Sequence, residues 1–186
     1  MEKLVELYRK WAGSAPANVE KLAGAGSNRA YYRLTDSEGK TVIGVIGTSR
    51  DENHAFIYLA KHFAKRQLPV PHVLAVSVDE MCYLQTDLGV ISLFDAIRGG
   101  RETGGRYNLA EQELLRKTIK ELPNFQLRGA RGLDYSYCYP QAEFNEESVL
   151  FDLNYFKYCF LKATEIDFHE LKLHANFRML RSSFMV

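Results

Sequence analysis

Residues 22–34 read LAGAGSNRAYYRL, in which a glycine-rich segment runs directly into a strand-like one. Glycine there permits a close approach of the backbone to a phosphate, or simply a tight change of direction. The stretch leads into a strand, lacks the third glycine of a dinucleotide-binding fingerprint and lacks the GK[ST] of a P-loop. From these residues alone, two interpretations remain open: a phosphate-contacting backbone and an ordinary hairpin turn.

Strand patterns surround this stretch on both sides. The strand candidates are 19–24, 30–35, 41–48, 72–79 and 81–89. Because the first three are consecutive and have short connections, the sequence predicts an antiparallel meander. An apolar repeat at positions 4, 7, 8 and 11 predicts a helix before them. A second helix follows Asp51, a suitable N-cap, and ends before the LPVP sequence at 68–71.

From residue 91 onward the predicted elements are helical. The expected segments are a short helix from Ser92 to Ile97, a flexible glycine-rich loop at 99–107, a capped helix from Asn108 to Leu122 that Pro123 ends, an irregular stretch at 124–145, an apolar helix at 146–164 and a last helix from about Asp167. The apolar face of the 146–164 helix is expected to comprise Val149, Leu153, Phe156 and Phe160. The sequence therefore predicts an α+β protein, with a five-stranded antiparallel sheet plus helix in residues 1–88 and a helical segment in residues 89–186.

Charge and cysteine usage exclude several classes of function. With 24 basic and 23 acidic residues the net charge is +1, so neither nucleic acid nor an anionic membrane is an expected partner. No apolar run reaches the length of about 18 residues that indicates a membrane span, and the charged N-terminus is unlike a signal peptide. Three scattered cysteines without a CxxC motif indicate reduced thiols, and we expect a cytoplasmic protein.

The order of helix, three strands, helix and two strands resembles the small lobe of protein-kinase-like folds. In detail the sequence resembles the aminoglycoside phosphotransferase and choline-kinase-like family, and within it the bacterial cell-wall amino-sugar kinases. The matching segments are AGAGSNRAYYRL, RDENHAF, LPVPHVLAV and LQTDLG. The resemblance implies ATP and Mg²⁺ as cofactors and the transfer of the γ-phosphoryl group to the hydroxyl of a small-molecule sugar.

The resemblance also implies roles for residues in two segments. The glycine stretch would form a flap over the nucleotide phosphates, with contacts from backbone N–H groups and the Ser27 hydroxyl. The LQTDLG segment would form the hinge between two lobes, where backbone groups contact an adenine edge. The implied nucleotide-binding residues are Gly24, Gly26, Ser27, Asn28, Arg29, Gln85, Asp87 and Leu88. The other reading of LQTDLG is a plain strand end followed by a turn.

One departure from the kinase pattern concerns the phosphate-binding cation. Protein kinases carry a lysine on the third strand that pairs with a helix glutamate, and here that strand reads VIGVIG. Arg29 and Arg33 are the candidates to supply the charge, since a guanidinium can bind phosphate oxygens with two N–H groups. The alternative is that both are solvated surface arginines. Glu52 resembles the helix glutamate, but the sequence assigns it no partner.

A second departure concerns the catalytic loop. These phosphotransferases need a base aspartate in a D-x-x-x-x-N sequence and a later metal-binding aspartate. No aspartate of this chain has an asparagine five residues later. We therefore expect a truncated family member that lacks the base and the metal ligands and is inactive alone. The alternatives are a non-catalytic nucleotide- or protein-binding module and a fragment without independent function. Self-association through apolar helices such as the one carrying Phe156 is a further expectation.

Overall fold

A computed structural model describes residues 1–23 and 28–183 of the chain. It groups Met1–Tyr139 in one compact unit and Pro140–Val186 in a second. The first unit contains the whole sheet, and it is the unit in which the predicted nucleotide-binding residues fall. The predicted division at residue 88, which rests on the change from strand to helix patterns along the sequence, stays a prediction.

The first unit is built on a five-stranded antiparallel sheet, which confirms the predicted α+β class and strand number. The strands are β1 (Asn18–Lys21), β2 (Ala30–Thr35), β3 (Thr41–Ile46), β4 (Val73–Val76) and β5 (Cys82–Thr86). Their order across the sheet is β1-β2-β3-β5-β4, and every neighbouring pair is antiparallel. The register aligns Arg33 of β2 with Ile43 of β3 and Ile43 with Gln85 of β5. These three residues therefore share one face of the sheet.

Two helices cover the two faces of this sheet. Helix α1 (Glu2–Ala12) packs Leu4 and Tyr8 against a buried cluster on one face. Helix α2 (Arg50–Lys65) packs Ile57 against the other face. The alternation of side chains along each strand supplies both apolar surfaces. The strand residues of the first cluster are Leu34, Cys82 and Leu84, and those of the second are Ile43, Val45 and Tyr83.

The N-terminus of α2 differs in detail from the prediction. Ser49 is the N-cap, and its hydroxyl accepts a hydrogen bond from the backbone N–H of Glu52 at 3.3 Å. Asp51, the predicted cap, lies in the first turn together with Glu52. A serine and an aspartate are comparable N-caps, and the first-turn carboxylates are favourable at the positive end of the helix dipole. The start of α2 therefore holds the Glu52 carboxylate in a fixed position.

The predicted flexible loop at 99–107 is wrong in its first half. Helix α4 (Arg98–Glu102) forms there, directly after helix α3 (Leu93–Ala96), which Ser92 caps and which confirms the predicted short helix from Ser92 to Ile97. The Gly100 N–H donates to a carboxylate oxygen of Glu111 at 2.9 Å, and a Cβ at Gly100 would overlap the Tyr107 ring. These contacts fix the backbone of a segment whose glycine content indicates flexibility.

Helix α5 (Leu109–Pro123) begins and ends as predicted. Asn108 caps it in a capping box with Glu111, and Pro123 is its last residue. Since proline has no N–H for the α-helical ladder, the chain continues as a wider π-helix, Asn124–Gly129. Residues 124–129, and a 3₁₀ turn at Tyr135–Tyr137, correct the prediction of an irregular stretch over 124–145.

The 124–137 segment is ordered by contacts with the outer face of α2. The ring nitrogen Nε2 of His62 donates to the carbonyl of Gly129 at 2.8 Å. The ring of Tyr137 stacks on Tyr58 with centroids 4.3 Å apart. These contacts join residues about 70 positions apart in sequence, which no local pattern encodes.

The second unit contains α6 (Glu146–Cys159), a 3₁₀ turn at Leu161–Ala163 and α7 (Glu170–Ser183). The predicted apolar face of α6 is only partly right, because Val149 is buried whereas Phe156 and Phe160 stack on each other and remain exposed. Lys157 is buried instead, with its ammonium 2.9 Å from Glu170. Two lysines lower the pKa of Glu170 to about 2, chiefly through hydrogen bonds. This contact and the ion pair between Glu146 and Arg181, at 3.0 Å, both link α6 to α7.

Candidate nucleotide-binding site

The predicted site residues fall into two groups at opposite ends of strand β2. Gly24, Gly26 and Ser27 lie outside the described residues. Asn28 and Arg29 are described and directly precede β2, where Asn28 is exposed. The residues of the other group follow the end of β5; they are Gln85, Asp87 and Leu88.

Arg29 is held by an ion pair with helix α2. Its Nη2 lies 2.9 Å from a carboxylate oxygen of Glu52 and donates to the Glu52 carbonyl at 3.2 Å. The Arg29 side chain is 11% exposed and that of Glu52 is 38% exposed. Glu52, for which the sequence assigns no partner, therefore has one at the start of β2. The third strand presents the buried apolar residues Ile43 and Val45 on this face.

Aromatic rings complete the surroundings of Arg29. The guanidinium carbon lies 5.2 Å from the ring centroid of Phe56, one turn after Glu52 on α2. Phe56 in turn stacks on Tyr83 of β5, with centroids 5.0 Å apart. Burial raises the pKa of Tyr83 well above its usual value, and the neighbouring Arg29 acts in the opposite direction. A carboxylate and an aromatic face thus fix the guanidinium beside the glycine stretch.

Arg33 makes a second ion pair at the other end of β2. Its Nε lies 2.6 Å from Oδ2 of Asp87, and its Nη2 lies 3.2 Å from Oδ1. The Arg33 and Asp87 side chains are 15% and 7% exposed. The hydrogen bond from Arg33 is the largest of the effects that lower the pKa of Asp87 to about 2. Arg33 is therefore the partner of Asp87 and not of Glu52.

This ion pair also fixes the turn that follows β5. Nη2 of Arg33 donates to the carbonyl of Gly89 at 3.2 Å, while the Gly89 N–H donates to Oδ1 of Asp87 at 2.9 Å. Gly89 has φ of +96°, a conformation that glycine adopts without steric cost. The Leu88 side chain is 73% exposed, and its peptide groups form no hydrogen bond with any described residue. Among residues 1–23 and 28–183, the N–H and the C=O of Leu88 are thus both without a hydrogen-bond partner.

Gln85 lies on β5, two positions before Asp87. By register it shares the α2-facing side of the sheet with Arg33 and Ile43. Its side-chain oxygen Oε1 is buried and has no hydrogen-bond partner within residues 1–23 and 28–183. A buried polar atom of this kind is uncommon in folded proteins.

The alternation of side chains along β2 is the sequence signal that relates the two ion pairs. Arg29 directly precedes β2, two positions before Tyr31, and Arg33 lies within β2, two positions after Tyr31. Because side chains alternate between the two faces, this spacing places both arginines on the same side. Four residues of strand correspond to about 13 Å. The signal does not reveal Phe56 and Tyr83 as neighbours of Arg29, because strand pairing and helix packing bring them there.

The part of the chain that the structure describes has no group of three His, Cys, Asp or Glu side chains placed to hold a metal ion. None of the helices in that part combines the length and the apolar character that crossing a bilayer requires. No protein-family model matches the sequence, and no curated protein matches it either.

Proposed function

We propose that the first unit is the nucleotide-binding lobe of a phosphotransferase of the aminoglycoside phosphotransferase-like class, and that it binds ATP on the α2-facing side of β2. The observation that carries the proposal is the Arg29–Glu52 ion pair. In protein kinases, a cation from the sheet pairs with a helix glutamate and also binds nucleotide phosphates. Here an arginine that enters β2 would take the place of the third-strand lysine.

Arg29 suits the triphosphate end of the nucleotide. Its guanidinium is always charged and presents five N–H donors in one plane, so a carboxylate and a phosphate can share it. Glu52 and Phe56 restrict the side chain before any ligand arrives, which lowers the entropy lost on binding. The glycine stretch directly precedes Arg29 and would supply backbone N–H groups to the same phosphates.

The turn after β5 suits the base. It lies at the other end of the same sheet face, about 13 Å along β2 from Arg29. Its free peptide groups at Leu88 offer one donor and one acceptor to an adenine edge. Ile43, which pairs with Arg33 in register, is buried on the same face of the sheet.

For Mg²⁺ and for the sugar acceptor we assign no residue. The sequence contains no D-x-x-x-x-N, and the described residues present no group of metal ligands. The residues of the first unit named above bind and orient a nucleotide.

Mg-ATP is expected to raise the thermal stability of the wild-type chain, because a ligand that binds only the folded state stabilises it by mass action. At a concentration of 100 times Kd the gain is about 2.7 kcal/mol. Arg29→Ala is expected to lower the affinity for ATP at least tenfold, because it removes charge-assisted hydrogen bonds to phosphate. Thermal unfolding with increasing Mg-ATP measures both effects.

Arg50→Ala is the matched control, since Arg50 is a 68% exposed arginine in the first turn of α2 that pairs with Glu80. It removes the same charge from the same end of the helix and should leave the ATP response intact. The proposal fails if saturating Mg-ATP does not stabilise the wild type. The role of Arg29 fails if Arg29→Ala and Arg50→Ala respond to ATP alike.

A further inference from the structure

The Arg33–Asp87 ion pair is unusual in how completely it is covered. Among the ion pairs of the described residues, it is the one in which both side chains are less than one fifth exposed. Such pairs bring a desolvation penalty that only good geometry and further hydrogen bonds offset. The fold of a strand end does not require an ion pair. The covered Arg33–Asp87 pair therefore calls for a functional explanation.

The protein itself occupies both oxygens of the Asp87 carboxylate. Oδ2 accepts from Nε of Arg33, and Oδ1 accepts from Nη2 of Arg33 and from the Gly89 N–H. Thr41, at the start of β3, also helps to lower the pKa of this carboxylate. An arriving ligand therefore meets an ionised carboxylate whose acceptor positions are taken. The groups left to contact it are the peptide N–H and C=O of Leu88 and the amide of Gln85.

We propose that Arg33, by occupying the Asp87 carboxylate, sets the nucleobase preference of the site in favour of adenine. This inference rests on the proposed nucleotide binding. The pairing edge of adenine offers a donor at N6 and an acceptor at N1, which match the C=O and the N–H of a single residue. The pairing edge of guanine offers two adjacent donors, N1–H and the N2 amino group, together with an acceptor at O6.

A carboxylate with free oxygens is the best acceptor for the two donors of guanine, because two parallel N–H groups reach its two oxygens. With Arg33 in place, Asp87 cannot accept them. Guanine would then leave a donor unpaired against the Leu88 peptide, and unpaired buried polar groups discriminate strongly between analogues. Arg33 thus acts through Asp87 as a positioning residue.

The test compares the affinities for Mg-ATP and Mg-GTP of four full-length chains by titration calorimetry. The wild type is expected to prefer ATP. Arg33→Ala frees the carboxylate, and it should shift the ATP-to-GTP affinity ratio towards GTP by at least tenfold. Asp87→Asn removes the carboxylate, and it should lower the affinity for ATP without raising the affinity for GTP. Arg33→Lys keeps a charge but loses the two-pronged contact, and it should shift the ratio in the same direction by less.

Each outcome separates this inference from the proposal on which it rests. If Arg33→Ala and Arg33→Lys lower the affinities for ATP and for GTP by the same factor, the Arg33–Asp87 pair has only a structural role. That result overturns the inference, while nucleotide binding stands. A wild type that prefers GTP also overturns the inference alone. A wild type that binds neither nucleotide overturns both. Arg33→Lys keeps the test valid if Arg33→Ala does not fold.

Discussion

Gly47→Ala is expected to lower the free energy of unfolding of the first unit by about 3 to 5 kcal/mol. A Cβ on Gly47 would overlap the side-chain amide of Asn53, which is fully buried. That amide cannot move aside without giving up the hydrogen bond from its Nδ2 to the Glu80 carbonyl, at 2.8 Å. Both overpacking and an unpaired buried carbonyl then destabilise the fold.

Urea unfolding followed by tryptophan fluorescence measures this effect. Trp11 is the sole tryptophan, and it lies on α1, which packs on the sheet of the first unit. The control is the same glycine substitution in an Asn53→Ala background, where the space for the methyl group exists. There, Gly47→Ala should cost less than about 1 kcal/mol. Equal costs in the two backgrounds would show that Asn53 is not what requires glycine at position 47.

Arg33→Ala is expected to lower the free energy of unfolding of the same unit by about 3 kcal/mol, because it removes the counter-ion of the Asp87 carboxylate, which is 7% exposed in the intact pair. In a double-mutant cycle of Arg33→Ala and Asp87→Asn, the coupling between the two side chains should be about 2 kcal/mol, the value typical of a hydrogen bond to a charged group. The same urea unfolding provides the four free energies, and a coupling near zero would contradict the ion pair.

The pH dependence of this coupling has a definite sign. Since the pKa of Asp87 is lower in the folded state, the carboxylate stabilises the fold above about pH 4, and this contribution is lost as the pH falls towards 2. The stability difference between the wild type and Asp87→Asn should therefore be constant near neutral pH and shrink below pH 4. A difference that does not change down to pH 2.5 would show that Asp87 is not ionised in the way described.

The sheet could be predicted from the sequence because strand patterns are local. Alternating apolar residues and short connections indicate five strands in an antiparallel arrangement, and the structure has them. The helix at 98–102 could not be predicted in this way. It depends on Glu111 and Tyr107, which lie later in the chain and hold Gly100.

The two ion pairs of the candidate site illustrate the same limit. Arg29 and Glu52 are 23 positions apart in sequence, and Arg33 and Asp87 are 54 positions apart. A shift of one residue in the register of β2 would turn both arginines to the α1 side of the sheet. The sequence identifies the charged residues as candidates, but their partners depend on strand register. The burial of Lys157 on α6 likewise depends on Glu170 of α7, which helical periodicity cannot reveal.

The central claim is that a nucleotide binds on the α2-facing side of β2, between Arg29 and the turn after β5. Hydrogen exchange of the full chain, followed by mass spectrometry with and without saturating Mg-ATP, tests this claim most directly. We predict slower exchange with ATP in residues 28–35 and 82–89, and unchanged exchange in α6 (Glu146–Cys159). Unchanged exchange in both segments of the first unit at saturating Mg-ATP would contradict the claim.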